Sequence, residues 1–111
     1  TIRELVGDGI VIETEASDIA IEAPFDTATV DLMASVLRAE DSAARAVPYM
    51  ISGGTDAKAF STLGIACYGF SPLQLPAGMD YWRLFHGVDE RVLVDGLRFG
   101  VRVLDRFLRA C

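Results

Sequence analysis

With 111 residues and a net charge of −6, the chain has room for one small domain, and its 51% hydrophobic and 23% charged residues mark it as globular rather than disordered or fibrous. The acidic balance and the lack of a basic patch argue against a nucleic-acid partner. No apolar run approaches the roughly 18 residues that a membrane span needs, and no charged-then-apolar leader opens the sequence.

In chain order, Thr1 to Val6 reads as the last turns of a helix, followed by a turn at Gly7-Asp8-Gly9. The β-branched run Ile10 to Glu15 predicts a strand. Ser17 to Pro24 is a connector in which Ile19 and Ile21 allow a short extended segment. Asp26 or Thr27 is placed to cap a helix running to about Glu40, with Val30, Met33, Ala34 and Leu37 at helical spacing. A second strand is expected over Arg45 to Ile51, ended or pushed to an edge by Pro48. After Ser52-Gly53-Gly54, Thr55 or Asp56 suits the cap of a short helix through Leu63, with Gly64 beyond its C-terminus.

Ile65 to Phe70 predicts a third strand, parallel to the second across the crossover from Val47 to Phe70. A loop over Ser71 to Asp80 and the aromatic run Tyr81 to His86 lead to a long amphipathic helix from near Val94 or Asp95 to near Ala110. Asp95 and Arg109 complement its dipole, Leu97, Val101, Leu104 and Leu108 form an apolar stripe, and Gly96 and Gly100 admit a close neighbour. Arg98, Arg102, Arg106 and Arg109 read as its solvated face. Strands alternating with helices give an α/β class. The two cysteines, Cys67 and Cys111, have neither disulfide-framework nor zinc-knuckle spacing; they read as a buried thiol in a strand and a free terminal thiol, in a reducing cytoplasm. The apolar surplus points to surface covered by other sequence or by a partner.

Few residues carry chemistry. His86 is the one histidine, and most lone histidines are simply hydrogen-bonded. Gly87 gives access beside the ring, and Asp89 and Glu90 lie near enough to orient the imidazole as carboxylates do for metal ligands. Gly53-Gly54 is either a tight turn, the commonest meaning of paired glycines, or a backbone cradle for a carboxylate or other anion. It lacks the lysine and spacing of a P-loop. No serine sits in a nucleophile elbow, and Cys67 has no second histidine to activate it, so no catalytic residue is assigned.

Four runs in order carry a resemblance: Val47 to Lys58 (VPYMISGGTDAK), Leu63 to Ile65 (LGI), Tyr68 to Pro72 (YGFSP) and Phe85 to Val92 (FHGVDERV). Together with the closing helix they resemble the co-catalytic zinc peptidases and deacylases, which include aminoacylase, acetylornithine deacetylase, succinyl-diaminopimelate desuccinylase, glutamate carboxypeptidase and carnosine dipeptidase. The resemblance covers about Pro24 to Leu108. It implies that His86 is a zinc ligand and that Gly53 and Gly54 help bind a substrate carboxylate. It implies a short mixed or parallel sheet with flanking helices, residues 1–16 being the end of a lid (dimerisation) domain and 17–111 the C-terminal part of a catalytic domain.

The family's remaining ligands, its glutamate base and the lid residues that contact substrate all precede the matched stretch. The resemblance is therefore to a piece of an enzyme that hydrolyses amide or peptide bonds of small acyl-amino-acid or dipeptide-like substrates with two zinc ions. Such a piece is expected to be inactive alone, its exposed faces covered by the missing N-terminal part or by self-association. The competing readings are a non-catalytic, oligomerising α/β module and an anion binder at Gly53-Gly54.

Overall fold

A computed structural model describes residues 1–17, 20–51 and 53–111. These form four α-helices and one 3-10 helix: α1 (Ile2–Val6), α2 (Ala28–Glu40), α3 (Ala57–Ser61), the 3-10 turn Trp82–Leu84, and α4 (Val94–Ala110). They divide into two compact units. The first comprises Thr1–Glu22 and Gly54–Cys67, the second Ala23–Gly53 and Tyr68–Cys111.

The expected α/β architecture is not what forms: among the described residues there is no strand and no sheet. The three predicted strands, Ile10–Glu15, Arg45–Ile51 and Ile65–Phe70, are irregular backbone, and the parallel crossover keeps only its helix, α3. The reason is that a strand is stable only against a partner. β-branched residues favour strands when they pack on a half-buried pleated surface, and an unpaired strand has none. Here Val47 is 70% exposed and Met50 87%, so no buried face fixes a register. Pro48 further removes a ladder donor. Cys67, expected in a strand and buried, is half-buried on irregular chain, its Sγ 3.7 Å from the Ile65 carbonyl. Of the extended segment expected through Ile19 and Ile21, Ile19 lies outside the described residues and Ile21 is on irregular backbone.

In the first unit, Thr1 opens α1 with a capping box: its hydroxyl accepts from the Glu4 N–H at 3.4 Å, and the Glu4 carboxylate returns to the terminal amine. The helix expected at Thr1 to Val6 is thus present over Ile2–Val6. α3 starts at Asp56, whose side chain makes no capping bond. It unwinds through a turn closed by Gly64 at φ 74°, a conformation only glycine adopts freely.

The second unit is built on α2 packed against α4. Thr27 is the cap that forms on α2; its hydroxyl accepts from the Val30 N–H at 3.3 Å and lies 3.2 Å from the Tyr68 hydroxyl. The core is Val36, Phe99 and Val103, with Leu32, Leu37, Phe70 and Phe107 against it. Val103 is completely buried, and full burial of such a side chain stabilises by about 1.5–3 kcal/mol. Glu40 closes the pair: its carboxylate accepts from Arg102 Nε at 2.7 Å and Arg106 Nε at 2.6 Å. Those two hydrogen bonds hold the Glu40 carboxyl below its ordinary value. Two of the four arginines read as a solvated face therefore join two helices.

The face of α4 that turns inward is the one carrying Gly96 and Gly100, where a close neighbour was expected, and not the Leu97–Leu108 stripe. Gly96, Phe99, Gly100 and Val103 are buried, while Leu97, Val101, Leu104 and Leu108 are exposed. Backbone approach decides this. A Cβ at Gly100 would stand 2.5 Å from the Pro72 carbonyl oxygen, and one at Gly96 would stand 2.9 Å from that of Gln74. The two glycines let residues 72–74 lie directly on the helix, and Phe99 and Val103 share that side.

Candidate functional site

His86 follows the 3-10 turn in the second unit. The turn is opened by Asp80, whose carboxylate accepts from the Arg83 N–H at 3.3 Å. The Leu84 N–H donates to the Tyr81 carbonyl and the Gly87 N–H to the Leu84 carbonyl, each at 3.0 Å. The chain can make this reversal only by passing His86 through the left-handed region, at φ 55°. It is the one non-glycine residue there among the described residues; such a conformation costs about 1–2 kcal/mol for an L-residue. Gly87 is required for a different reason. A Cβ there would meet the carbonyl oxygens of both Arg83 and Leu84 at 3.2 Å.

Aromatic rings flank the turn. Trp82 stacks between Tyr49, at a centroid distance of 5.2 Å, and Phe85, at 5.3 Å. Tyr81 meets Phe85 edge-on at 4.9 Å, and Phe85 meets the His86 imidazole at 6.5 Å. Such pairs each contribute about 0.5–1.5 kcal/mol beyond burial. They give an otherwise irregular segment a fixed shape, at the end of which the imidazole faces solvent. Trp82, Phe85 and Tyr81 were legible as an aromatic run. The part played by Tyr49, far away in sequence, was not, since no local pattern pairs it with Trp82.

The carboxylates expected to orient His86 do not reach it. Among the described residues no hydrogen bond joins His86 to Asp89 or Glu90; both are exposed, and the Asp89 carbonyl instead accepts from Arg91 Nη1 at 2.9 Å. Nor do the described residues contain a group of three histidine, cysteine, aspartate or glutamate side chains arranged to hold a metal ion.

The Gly53-Gly54 pair falls at the boundary of the two units, Gly53 in the second and Gly54 in the first; Ser52 lies outside the described residues. Gly54 has no left-handed φ. A Cβ at Gly53 would meet only the Ile51 side chain, at 3.9 Å, and one at Gly54 nothing. No steric crowding thus requires glycine at either position. Gly54 also borders, with Thr55, Asp56, Lys58, Ala59 and Thr62, a shallow open depression in the first unit.

Comparison of the chain with protein-family models, with curated proteins and with solved structures finds no match. No helix of the described residues is long and apolar enough to cross a membrane.

Proposed function

We propose that this chain is a piece of a two-zinc hydrolase of amide or peptide bonds, to which it contributes His86 as a metal ligand, and that it does not catalyse alone. The observation that carries the reading is the ordered run VPYMISGGTDAK, LGI, YGFSP and FHGVDERV, which resembles the co-catalytic zinc peptidases and deacylases. Two features support it. His86 is solvent-facing at a strained backbone position beside a cluster of stacked aromatic rings, and strain of this kind concentrates at functional sites. Gly53 and Gly54 are glycines that their own surroundings do not demand, as expected if a substrate carboxylate approaches that backbone closely.

The residues present do not fit a complete zinc centre. A catalytic zinc takes about three protein ligands, and the described residues offer His86 without two companions. The other ligands and the general base therefore come from outside the 111 residues. The substrate class is small acyl-amino acids or dipeptide-like amides, and the setting a reducing cytoplasm.

The test has two arms. The isolated chain, with zinc added, is assayed on a panel of N-acyl amino acids and dipeptides; no turnover is expected, and turnover would refute the need for outside ligands. The coding sequence upstream of Thr1 is then read. A histidine-x-aspartate pair and adjacent acidic residues are expected there, and the longer chain should lose activity on His86→Ala. A start codon immediately before Thr1 overturns the proposal. A non-catalytic, self-associating module is the second reading, favoured by the apolar row that α4 leaves exposed.

A further inference from the structure

The fold leaves one face of α4 uncovered. Val94, Leu97, Val101, Leu104 and Leu108 follow at alternating intervals of three and four residues, the spacing of a coiled-coil seam. All five are exposed, from 38% at Leu104 to 70% at Leu108. At about 100° per residue the row lies nearly half a turn around the helix from the buried Phe99 and Val103, so it points away from α2.

We propose that this row is where a second copy of the chain docks, α4 against α4, in antiparallel orientation. The seam is self-complementary in that orientation. Setting Val101 opposite Leu104 of the second copy brings Leu97 opposite Leu108, and the two-fold symmetry repeats both pairs. Each layer then joins an interval-of-three partner to an interval-of-four partner, as knobs-into-holes packing requires.

The flanking charges choose both the partner and the direction. Arg98 follows Leu97 and Asp105 follows Leu104, so both stand on the same edge of the row. In the antiparallel register that edge brings Arg98 of each copy beside Asp105 of the other, twice over. A parallel pairing instead sets Asp105 beside Gly100, and Arg98 beside Leu93, with no opposite charge. At present Arg98 pairs with Asp95 at 2.9 Å and Asp105 with Arg109 at 2.9 Å. Both are exposed pairs within one helix, which exchange partners at little cost. An anionic lipid surface is disfavoured because Arg102 and Arg106 are already held by Glu40 and Asp105 would face the headgroups.

The mass of the full 111-residue chain is followed by sedimentation or by light scattering across a dilution series. A concentration-dependent dimer is expected. Leu104→Asp should abolish it while far-UV circular dichroism shows the helices retained. Arg98→Asp, a surface change that leaves the core alone, should weaken association about tenfold through lost pairing and new repulsion. The double swap Arg98→Asp with Asp105→Arg should restore it. Cys111 reports direction: in a Cys67→Ser background, oxidation should leave antiparallel chains uncross-linked, since the two thiols lie at opposite ends. A chain that stays monomeric at every concentration overturns the proposal. So does a dimer indifferent to Leu104→Asp, a charge swap that fails to restore association, a Cys111 cross-link, or binding to anionic vesicles in place of self-association.

Discussion

Replacing Gly100 by alanine tests the packing of the second unit at its tightest point. In an exposed helix interior this change stabilises, because alanine exceeds glycine in helix propensity by about 0.8–1.0 kcal/mol. Here the new Cβ would stand 2.5 Å from the Pro72 carbonyl oxygen, and ordinary contact begins at 3.4 Å. The helix and residues 72–74 must therefore part by about 0.9 Å. The obstacle is backbone, which cannot rotate away, and the movement would loosen Phe99 and Val103 in the core. Overpacking costs about 1–3 kcal/mol, and an obstacle that is backbone belongs in the upper part of that range, about 2–3 kcal/mol, so after the propensity gain the net change is a loss of about 1–2 kcal/mol. Urea unfolding followed by far-UV circular dichroism, at one fixed protein concentration, should show a midpoint lower by about 1 M. Gly96→Ala, with its clash at 2.9 Å against Gln74, should lose less. A Gly100→Ala protein as stable as the parent, or more so, would mean that residues 72–74 do not lie on the helix in solution.

Three other outcomes are expected. Glu40→Gln should lower the urea midpoint at neutral pH. Because the Arg102 and Arg106 hydrogen bonds depress the Glu40 carboxyl below 4.5, the stability it brings is present above the unfolded value and fades as pH falls through the depressed one. The parent should thus lose more stability on acidification than Glu40→Gln, and equal acid sensitivity would count against the clamp. At His86, asparagine tolerates the left-handed backbone and should be near neutral, whereas valine should cost about 1 kcal/mol or more, measured by the same unfolding assay. Trp82, the one tryptophan, should emit at longer wavelength in Tyr49→Ala than in the parent, since removal of the stacked ring opens it to water; an unchanged spectrum would deny the stacking.

The helices were legible because their signals are local. Thr27 before Val30, Asp95 and Arg109 at opposite ends of α4, and the 3.6-residue spacing of apolar side chains all act within one element. The strands failed for the converse reason. Ile10–Glu15, Arg45–Ile51 and Ile65–Phe70 carry β-branched and aromatic residues, but a strand's stability resides in its neighbour, and the described residues supply none. α4 falls between these cases. Its two apolar rows were both in the sequence, and Gly96 and Gly100 marked where a neighbour could approach, but that the neighbour is the backbone of residues 72–74 is not encoded in residues 94–110.

The same division runs through the candidate site. That His86 is the lone histidine, next to Gly87, could be read directly; that its backbone is left-handed could not, because the strain is imposed by the Leu84–Gly87 hydrogen bond and the aromatic stack. A strained residue persists only where its surroundings over-determine it. Here they do so without help from Asp89 or Glu90. The His86 backbone is thus set by the turn and the rings beside it rather than by a carboxylate.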